Sequence, residues 1–340
     1  MSQVPAPPYT RSDTLDFAVA GVGASAGGLN ALIQLFEAMP HDADIAFVVV
    51  VHLSPEHVSR VPELLQKATR MPVREVVEAV AIKPNHVYVI PPNRVLRMHD
   101  GKLEAVPRRS RSMTIDLFLE TLSEVHAHRG IGIILSGTGS DGTLGTRAVK
   151  AHGGVTFAQA PEEAEFDAMP RNAIGSGTVD FVLPVREIPA KLVSLWRNAR
   201  AIRMPKIEDR PTAEDAAAEA EEAVRDIIAT VRARTGHDFS QYKRTTLLRR
   251  FERRLQVNQL RDLSSYRELL TAQPGESRSL LRDLLISVTS FFRDANAFAA
   301  IEKQIVPALF ARNENEPIRI WVVGCATGEE VYSLVMLLSE

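Results

Sequence analysis

Three residue types able to build a hydrolytic centre stand at comparable places in this chain. The first is Ser25, inside Gly23-Ala24-Ser25-Ala26-Gly27. That is a G-x-S-x-G pattern, in which a sharp turn lifts a serine oxygen above a sheet edge. Gly21-Val22-Gly23-Ala24-Ser25-Ala26 also matches G-x-G-x-x-A, the phosphate cradle of a dinucleotide domain. The next apolar run decides between the two. Ile45–Val51 ends in His52, where a dinucleotide site wants an Asp or Glu for the ribose hydroxyls. A nucleophilic serine wants a base, and a histidine at a neighbouring strand end is well placed to be one. A third run, Ile131–Leu135, leads into Ser136-Gly137-Thr138-Gly139-Ser140-Asp141-Gly142 and sets Asp141 just past its end. Ser25 then attacks, His52 takes and returns the proton, and Asp141 holds His52. Backbone N–H groups around Ala26 and the Gly137–Gly139 turn can stabilise an oxyanion.

Each residue also has an ordinary use: a turn serine, a core histidine, a helix N-cap aspartate. Their joint placement favours catalysis. The order Ser, His, Asp differs from the Ser, Asp, His order of α/β-hydrolases and argues against that fold. His86 is a rival base, but it precedes its apolar run and belongs at the opposite sheet edge.

Positioning these groups requires strands that end on one side. Apolar runs at Phe17–Val22, Ile45–Val51, His86–Ile90, Gly132–Leu135 and Val155–Ala158 alternate with helical stretches at Gly28–Ala38, Arg60–Ala68, Thr114–His126 and Asp141–Ala151. The pattern predicts a doubly wound, mainly parallel, three-layer α/β sheet domain. An antiparallel sheet in this domain would contradict it. Val73–Glu78 reads as a short further strand. Leu103–Arg111, with Arg108, Arg109 and Arg111, reads as a solvated loop or as a rim that steers an acidic partner.

A chain of 340 residues with formal net charge −2 and one cysteine, Cys325, is expected to hold two or more domains and suits a reducing cytoplasm. It offers no multi-cysteine metal site, and no metal is expected. The Pro-rich start lacks a signal pattern, and no apolar run approaches a membrane span. Residues 1–15 read as a flexible lead, 16–198 as the α/β domain, 199–220 as a linker, 221–300 as an all-α domain and 301–340 as a further start. On Thr245–Gln256, helical spacing turns Leu247, Leu248, Phe251 and Leu255 inward and Arg249, Arg250, Arg253 and Arg254 largely outward. That face reads either as solvated or as a surface for an anionic partner. Ile318–Val323 followed by Gly324-Cys325-Ala326-Thr327-Gly328 reads as the opening βα unit of a Rossmann-like domain, and the end at Glu340 as a truncation.

At these residues the first half resembles the catalytic domain of CheB, the chemotaxis protein-glutamate methylesterase. The resemblance rests on Gly23-Ala24-Ser25-Ala26-Gly27-Gly28, the strand ending in His52, Asn85-His86-Val87-Tyr88-Val89-Ile90-Pro91-Pro92, Ser136–Gly142, Gln159 and Met169-Pro170-Arg171. It implies Ser25, His52 and Asp141 as the triad, no cofactor, and esterified glutamates on chemoreceptor helices as substrate, with deamidation of glutamine at the same sites. Many members carry Met where this chain has Thr138; a contribution through the Thr138 backbone N–H is insensitive to that change. Chemotaxis methylesterases usually carry an N-terminal receiver domain, and only a short lead stands here.

The second half resembles CheR, the receptor glutamate methyltransferase. Here the signature is Thr235-Gly236-His237-Asp238-Phe239, Tyr242-Lys243, Arg249-Arg250, Val288-Thr289-Ser290-Phe291-Phe292-Arg293-Asp294 and Gly324–Glu330. It implies S-adenosylmethionine as cofactor, touched by Thr289, Arg293, Gly324 and Glu329, and a basic helix facing glutamate-rich receptor helices. The whole is expected to be cytoplasmic, to meet membranes only through receptors and to bind no nucleic acid. The segment after about Pro317 is expected to be poorly anchored, and this chain alone not to bind the cofactor. A non-enzymatic receptor-docking module is the alternative reading.

Overall fold

The computed structural model describes residues 17–52, 60–108, 113–204, 214–286, 291–310, 318–326 and 328–339, with the backbone course only for 214–219 and 295. By packing, the chain divides into two units, one reaching Leu285 and the other starting at Ile286.

The first unit opens with β1 (Ala18–Ala24), α1 (Gly28–Ala38), β2 (Ile45–Val51), α2 (Val61–Ala68), β3 (Val73–Glu75), β4 (Val80–Ala81), β5 (Val87–Val89), β6 (Arg94–His99) and β7 (Lys102–Pro107). It continues with α3 (Thr114–His126), β8 (Gly130–Ile134), α4 (Thr143–Ala151), β9 (Val155–Gln159), α5 (Ala168–Gly175), β10 (Phe181–Leu183) and α6 (Ile188–Ala199). Seven strands form one sheet in the order β10-β9-β8-β1-β2-β5-β3, and every pairing in it is parallel. The β2 segment, Ile-Ala-Phe-Val-Val-Val-Val, is buried along its whole length, as a strand covered on both faces must be. Helix α1 packs with α2 and α6, and α3 with α4, which gives the two outer layers.

Close helix packing explains the glycines of β1. A Cβ at Gly21 would lie 2.6 Å from Leu119 Cδ2, and one at Gly23 would lie 2.5 Å from Ile115 Cγ2. Both glycines make room for α3. The G-x-G that resembled a phosphate cradle is a packing device.

Two expectations need correction here. The domain does contain an antiparallel sheet, the small β4-β7-β6 annex, but it stands beside a seven-stranded sheet that is parallel throughout, so the mainly parallel fold stands. Leu103 to Pro107, read as loop, lies in β7, and Leu103 is fully buried. The hairpin carries polar residues on its outer face and so lacks the unbroken apolar run that marks the parallel strands. Arg108 follows β7, while Arg109 and Arg111 lie outside the described residues.

Four helices complete the first unit: α7 (Glu214–Thr235), α8 (Arg244–Val257), α9 (Leu263–Ala272) and α10 (Pro274–Leu285). Leu247, Leu248, Phe251 and Leu255 enter their shared core, as the spacing predicts. The arginines do not point outward. Arg250, Arg253 and Arg254 are buried, and Arg249 is half-buried. The opposite face of α8 lies on the α/β domain, so the helix is covered on both sides. Arg250 donates to the carbonyls of Ala151 (2.7 Å) and Lys150 (3.3 Å) at the end of α4. The Arg253 guanidinium donates to Gly154 O, Asp180 and Asp283, with Lys150 Nζ 3.4 Å from both carboxylates. Arg254 grips Glu276 with two hydrogen bonds of 2.7 Å, and Tyr266 donates to the same carboxylate.

At the far end of α3, His126 is buried with no partner for either ring nitrogen among the described residues. Burial, helped by Arg129, pulls its pKa down to about 4. The unfolded chain takes up this proton near pH 6.5 and the folded protein only near 4, so this residue costs stability progressively as the pH falls through that window. The unfolding free energy of His126→Leu should therefore gain about 3 kcal/mol on wild type between pH 7 and pH 4. Urea titrations across that range check it; a pH-independent difference would mean the ring is charged or solvated.

The second unit holds α11 (Ala295–Ala300), a π-helical turn, α12 (Val306–Phe310) and α13 (Glu329–Ser339). The strand expected at Ile318–Val323 is not formed; among the described residues this unit has no strand to pair with it, and Trp321 is 90% exposed. No helix among the described residues is long and apolar enough to cross a membrane.

Candidate active site

Ser25, His52 and Asp141 follow β1, β2 and β8, three adjacent strands of the parallel sheet. The strand order reverses between β1 and β8, the place where open α/β sheets collect ligands. Ser25 Oγ lies 3.2 Å from His52 Nδ1, and His52 Nε2 lies 2.9 Å from Asp141 Oδ2. An ionised Asp141 accepts a hydrogen bond from Nε2–H, and that tautomer leaves Nδ1 with a free lone pair toward Ser25. The serine side of the ring is open, with His52 32% exposed, while Asp141 is 3% exposed.

The loop that carries Ser25 is a turn without a strained serine. Ser25 N–H donates to Ser136 O (3.0 Å), Gly28 N–H returns to Ser25 O (2.9 Å), and Gly27 takes the positive φ of 68°. The facing turn comes very close. A Cβ on Gly137 would lie 2.9 Å from Ser25 Cβ and 2.1 Å from Met169 Sδ, so only glycine fits. The Gly137 N–H is committed to Phe166 O (2.9 Å) and cannot serve an oxyanion. The N–H groups of Ala26 and Thr138 have no acceptor among the described residues.

Asp141 does not cap its own helix. Its Oδ2 also accepts from Ile115 N–H (3.1 Å) and its Oδ1 from Asp116 N–H (2.9 Å), the second and third residues of α3. Burial raises its pKa, but the hydrogen bonds from His52, Asp116 and Ile115 outweigh burial and leave it below the usual carboxylate range. The site therefore carries a fixed negative charge behind the imidazole.

Several supporting residues carried no readable sequence signal. Ser136 Oγ donates to Ala26 O (3.0 Å) and accepts from Phe166 N–H (3.0 Å), tying the serine loop to the facing turn. Gln159 Oε1 accepts from Ser136 N–H (2.8 Å), and Asn172 Nδ2 donates to Gly139 O (2.7 Å). In the sequence, Gln159 and Met169 stand out only through the CheB resemblance. His86 precedes β5 at the other sheet edge and bonds Pro84 O (2.9 Å), which removes it as a rival base.

A family model for CheB methylesterase matches residues 20–192, just over half of the chain. The chain belongs to the CheB methylesterase family. Beyond its CheB domain, the model for the all-alpha domain of CheR methyltransferase matches residues 222–285, and that for the SAM binding domain of CheR matches residues 287–340. A 104.1 kDa protein of the hypE 3' region of Rhodobacter capsulatus is 38% identical over 299 residues, 82% of this chain and 31% of that protein. The protein-glutamate methylesterase/protein-glutamine glutaminase of Thermotoga maritima is 30% identical over 181 residues, 51% of this chain and 53% of the relative. The chain thus spans about a third of the first of these relatives and about half of the second. The crystal structure of the Thermotoga maritima CheB methylesterase catalytic domain has a TM-score of 0.49 at 29% identity, covering 53% of this chain and 98% of that one.

In the second unit, the Phe292 N–H donates to Ser333 Oγ (2.8 Å), which sets the segment bearing Arg293 beside α13. Gly324 lies in a turn with φ of 73°, and Glu329 opens α13. Thr289 lies outside the described residues.

Proposed function

We propose that the first domain hydrolyses γ-glutamyl methyl esters on chemoreceptor helices, and deamidates glutamine at the same sites, with Ser25 as nucleophile. The observation that carries this reading is the continuous hydrogen-bond chain Ser25–His52–Asp141 at one sheet edge. Ser25 Oγ attacks the ester carbonyl carbon while His52 Nδ1 takes its proton. Asp141 stabilises the resulting imidazolium. The carbonyl oxygen becomes an oxyanion facing the free Ala26 and Thr138 N–H groups, each such donor being worth about 3 kcal/mol in the transition state. Collapse breaks the C–O bond, His52 hands its proton to the departing methoxide, and methanol leaves. Water then attacks the acyl-enzyme with His52 as base, and the products are glutamate and free Ser25. With a glutamine side chain, ammonia leaves instead.

The CheR portion extends this to opposing chemistry on the same substrate class, in a cytoplasmic setting. S-adenosylmethionine, when bound, supplies an electrophilic methyl group. Arg293, on the segment that Phe292 N–H pins to Ser333 of α13, suits its amino-acid end: Arg293 would hold its carboxylate, Gly324 would let the backbone approach, and Glu329 and Thr289 would complete the contacts.

The test is a pair of measurements on the whole chain. Methylated receptor fragment should release methanol, and a fluorophosphonate should add one phosphonyl group to Ser25, with labelling lost in His52→Ala. Neither methanol nor labelling in folded protein would leave a receptor-docking module instead.

A further inference from the structure

Neither helix at the site has a side-chain cap of its own. The residue at the cap position of α3 is Met113, and that of α4 is Gly142. The two helices instead exchange aspartates. Asp141, which precedes α4, accepts from the N–H groups of Ile115 and Asp116 in the first turn of α3. Asp116 Oδ1 accepts from Gly145 N–H (2.7 Å), the third residue of α4. Each carboxylate thus satisfies orphan donors of the other helix, where negative charge is favoured.

This exchange closes a ring. From Asp141 it runs to the Asp116 backbone, through that residue's own side chain to Gly145, and back along four residues of chain to Asp141. We propose that Asp116 is a positioning residue of the esterase centre, fixing the 141–145 segment so that the Asp141 carboxylate meets His52 Nε2. The proposal rests on the Ser25–His52–Asp141 reading above. Contact distances leave little slack: a Cβ on Gly145 would lie 3.1 Å from Asp116 Cα and 2.6 Å from Leu119 Cβ. Asp116 Oδ2 is buried with no partner among the described residues. Burial, together with the Asp141 charge and against the bonds from α4, pushes the Asp116 pKa up to about 6. One oxygen of this carboxyl, Oδ1, holds Gly145 N–H, and burial works against the charge.

That distinction sets the experiment. Asp116→Asn keeps Oδ1 without a charge, Asp116→Glu keeps the charge but moves the oxygens by a methylene, and Asp116→Ala removes the acceptor. Each is assayed in the whole chain for methanol release and for the rate of fluorophosphonate labelling, beside Ser25→Ala and Asp141→Asn, with thermal unfolding to confirm folding. Ala and Glu should lower kcat by about ten- to hundredfold with KM unchanged, as a misplaced catalytic group does, and should slow labelling in parallel. Asn should stay close to wild type in both. Wild-type kcat in a folded Ala variant would overturn the proposal, as would an active Glu beside a depleted Asn. Should Ala not fold, the Asn–Glu comparison decides. If Ser25→Ala and Asp141→Asn themselves retain activity, it is the triad reading that fails.

Discussion

Ser25→Ala should lower the rate of methanol release at saturating substrate by about four to six orders of magnitude, and adding Asp141→Asn should cost almost nothing more. The expectation follows from the chain of bonds. Without Ser25 Oγ there is no acyl-enzyme, and a correctly held imidazole has nothing to deprotonate. Asp141→Asn alone should cost about four orders. Asp141 offers two oxygens to three donors, His52 Nε2, Ile115 N–H and Asp116 N–H. An asparagine has one oxygen, which can replace Oδ1 at Asp116 N–H or Oδ2 at Ile115 N–H and His52, not both; the loss follows when it sits at Asp116 N–H. Its amide N–H2 then faces Nε2, so the ring proton moves to Nδ1 and points at Ser25. That tautomer cannot take the serine proton. Single and double variants measured on one methylated substrate check the claim. Losses that multiply in the double variant would mean that the two residues act independently.

The second large effect is on stability. Arg253→Met should destabilise the first unit by about 3–5 kcal/mol, because it leaves buried carboxylates without their main partner. Both Asp180 and Asp283 bond this guanidinium, and all three side chains are at most 2% exposed. Burial raises the Asp180 pKa, but the charges of Arg253 and Lys150 outweigh it and leave it below the usual range. In the variant Lys150 and the bonds from Thr156 are left to oppose burial without the guanidinium, so Asp180 escapes by taking up a proton. The depressed pKa of wild type gives stability above the unfolded value and loses it as pH falls, while the variant has lost that contribution already. The gap between the two should be widest near neutral pH and should close as the pH falls through and below the unfolded carboxylate range, about 4. Urea unfolding at several pH values tests this. A constant gap would mean that lost packing, not unpaired charge, is the cause. Arg253→Met with Asp180→Asn should recover part of the loss.

Much of the fold was readable because the core strands are short unbroken apolar runs. Ile45–Val51 and the helices Gly28–Ala38 and Thr114–His126 stand where their patterns put them. That Ser25, His52 and Asp141 meet at one sheet edge was legible for the same reason, since each follows a run whose end is visible. What could not be read was tertiary. Asp141 ahead of α4 looks like a cap for α4, and nothing local says that its acceptors go to α3. Arg250, Arg253 and Arg254 look like a solvated stripe until a second domain covers them. The β6–β7 hairpin alternates too weakly to be seen.

The contact between α8 and the α/β domain has a meaning for inheritance. A seam of interlocking leucines tolerates drift, since one oily side chain replaces another at modest loss. This seam is written in charge: Lys150 and Asp180 come from one parent, Arg253 and Asp283 from the other. A recombinant that acquired a foreign helical half lacking Arg253 would bury an orphaned Asp180. One that acquired a foreign α/β half lacking Asp180 would leave the guanidinium a partner short. The two halves are therefore bound to descend together, and their genes should resist the shuffling to which loosely tethered signalling domains are open.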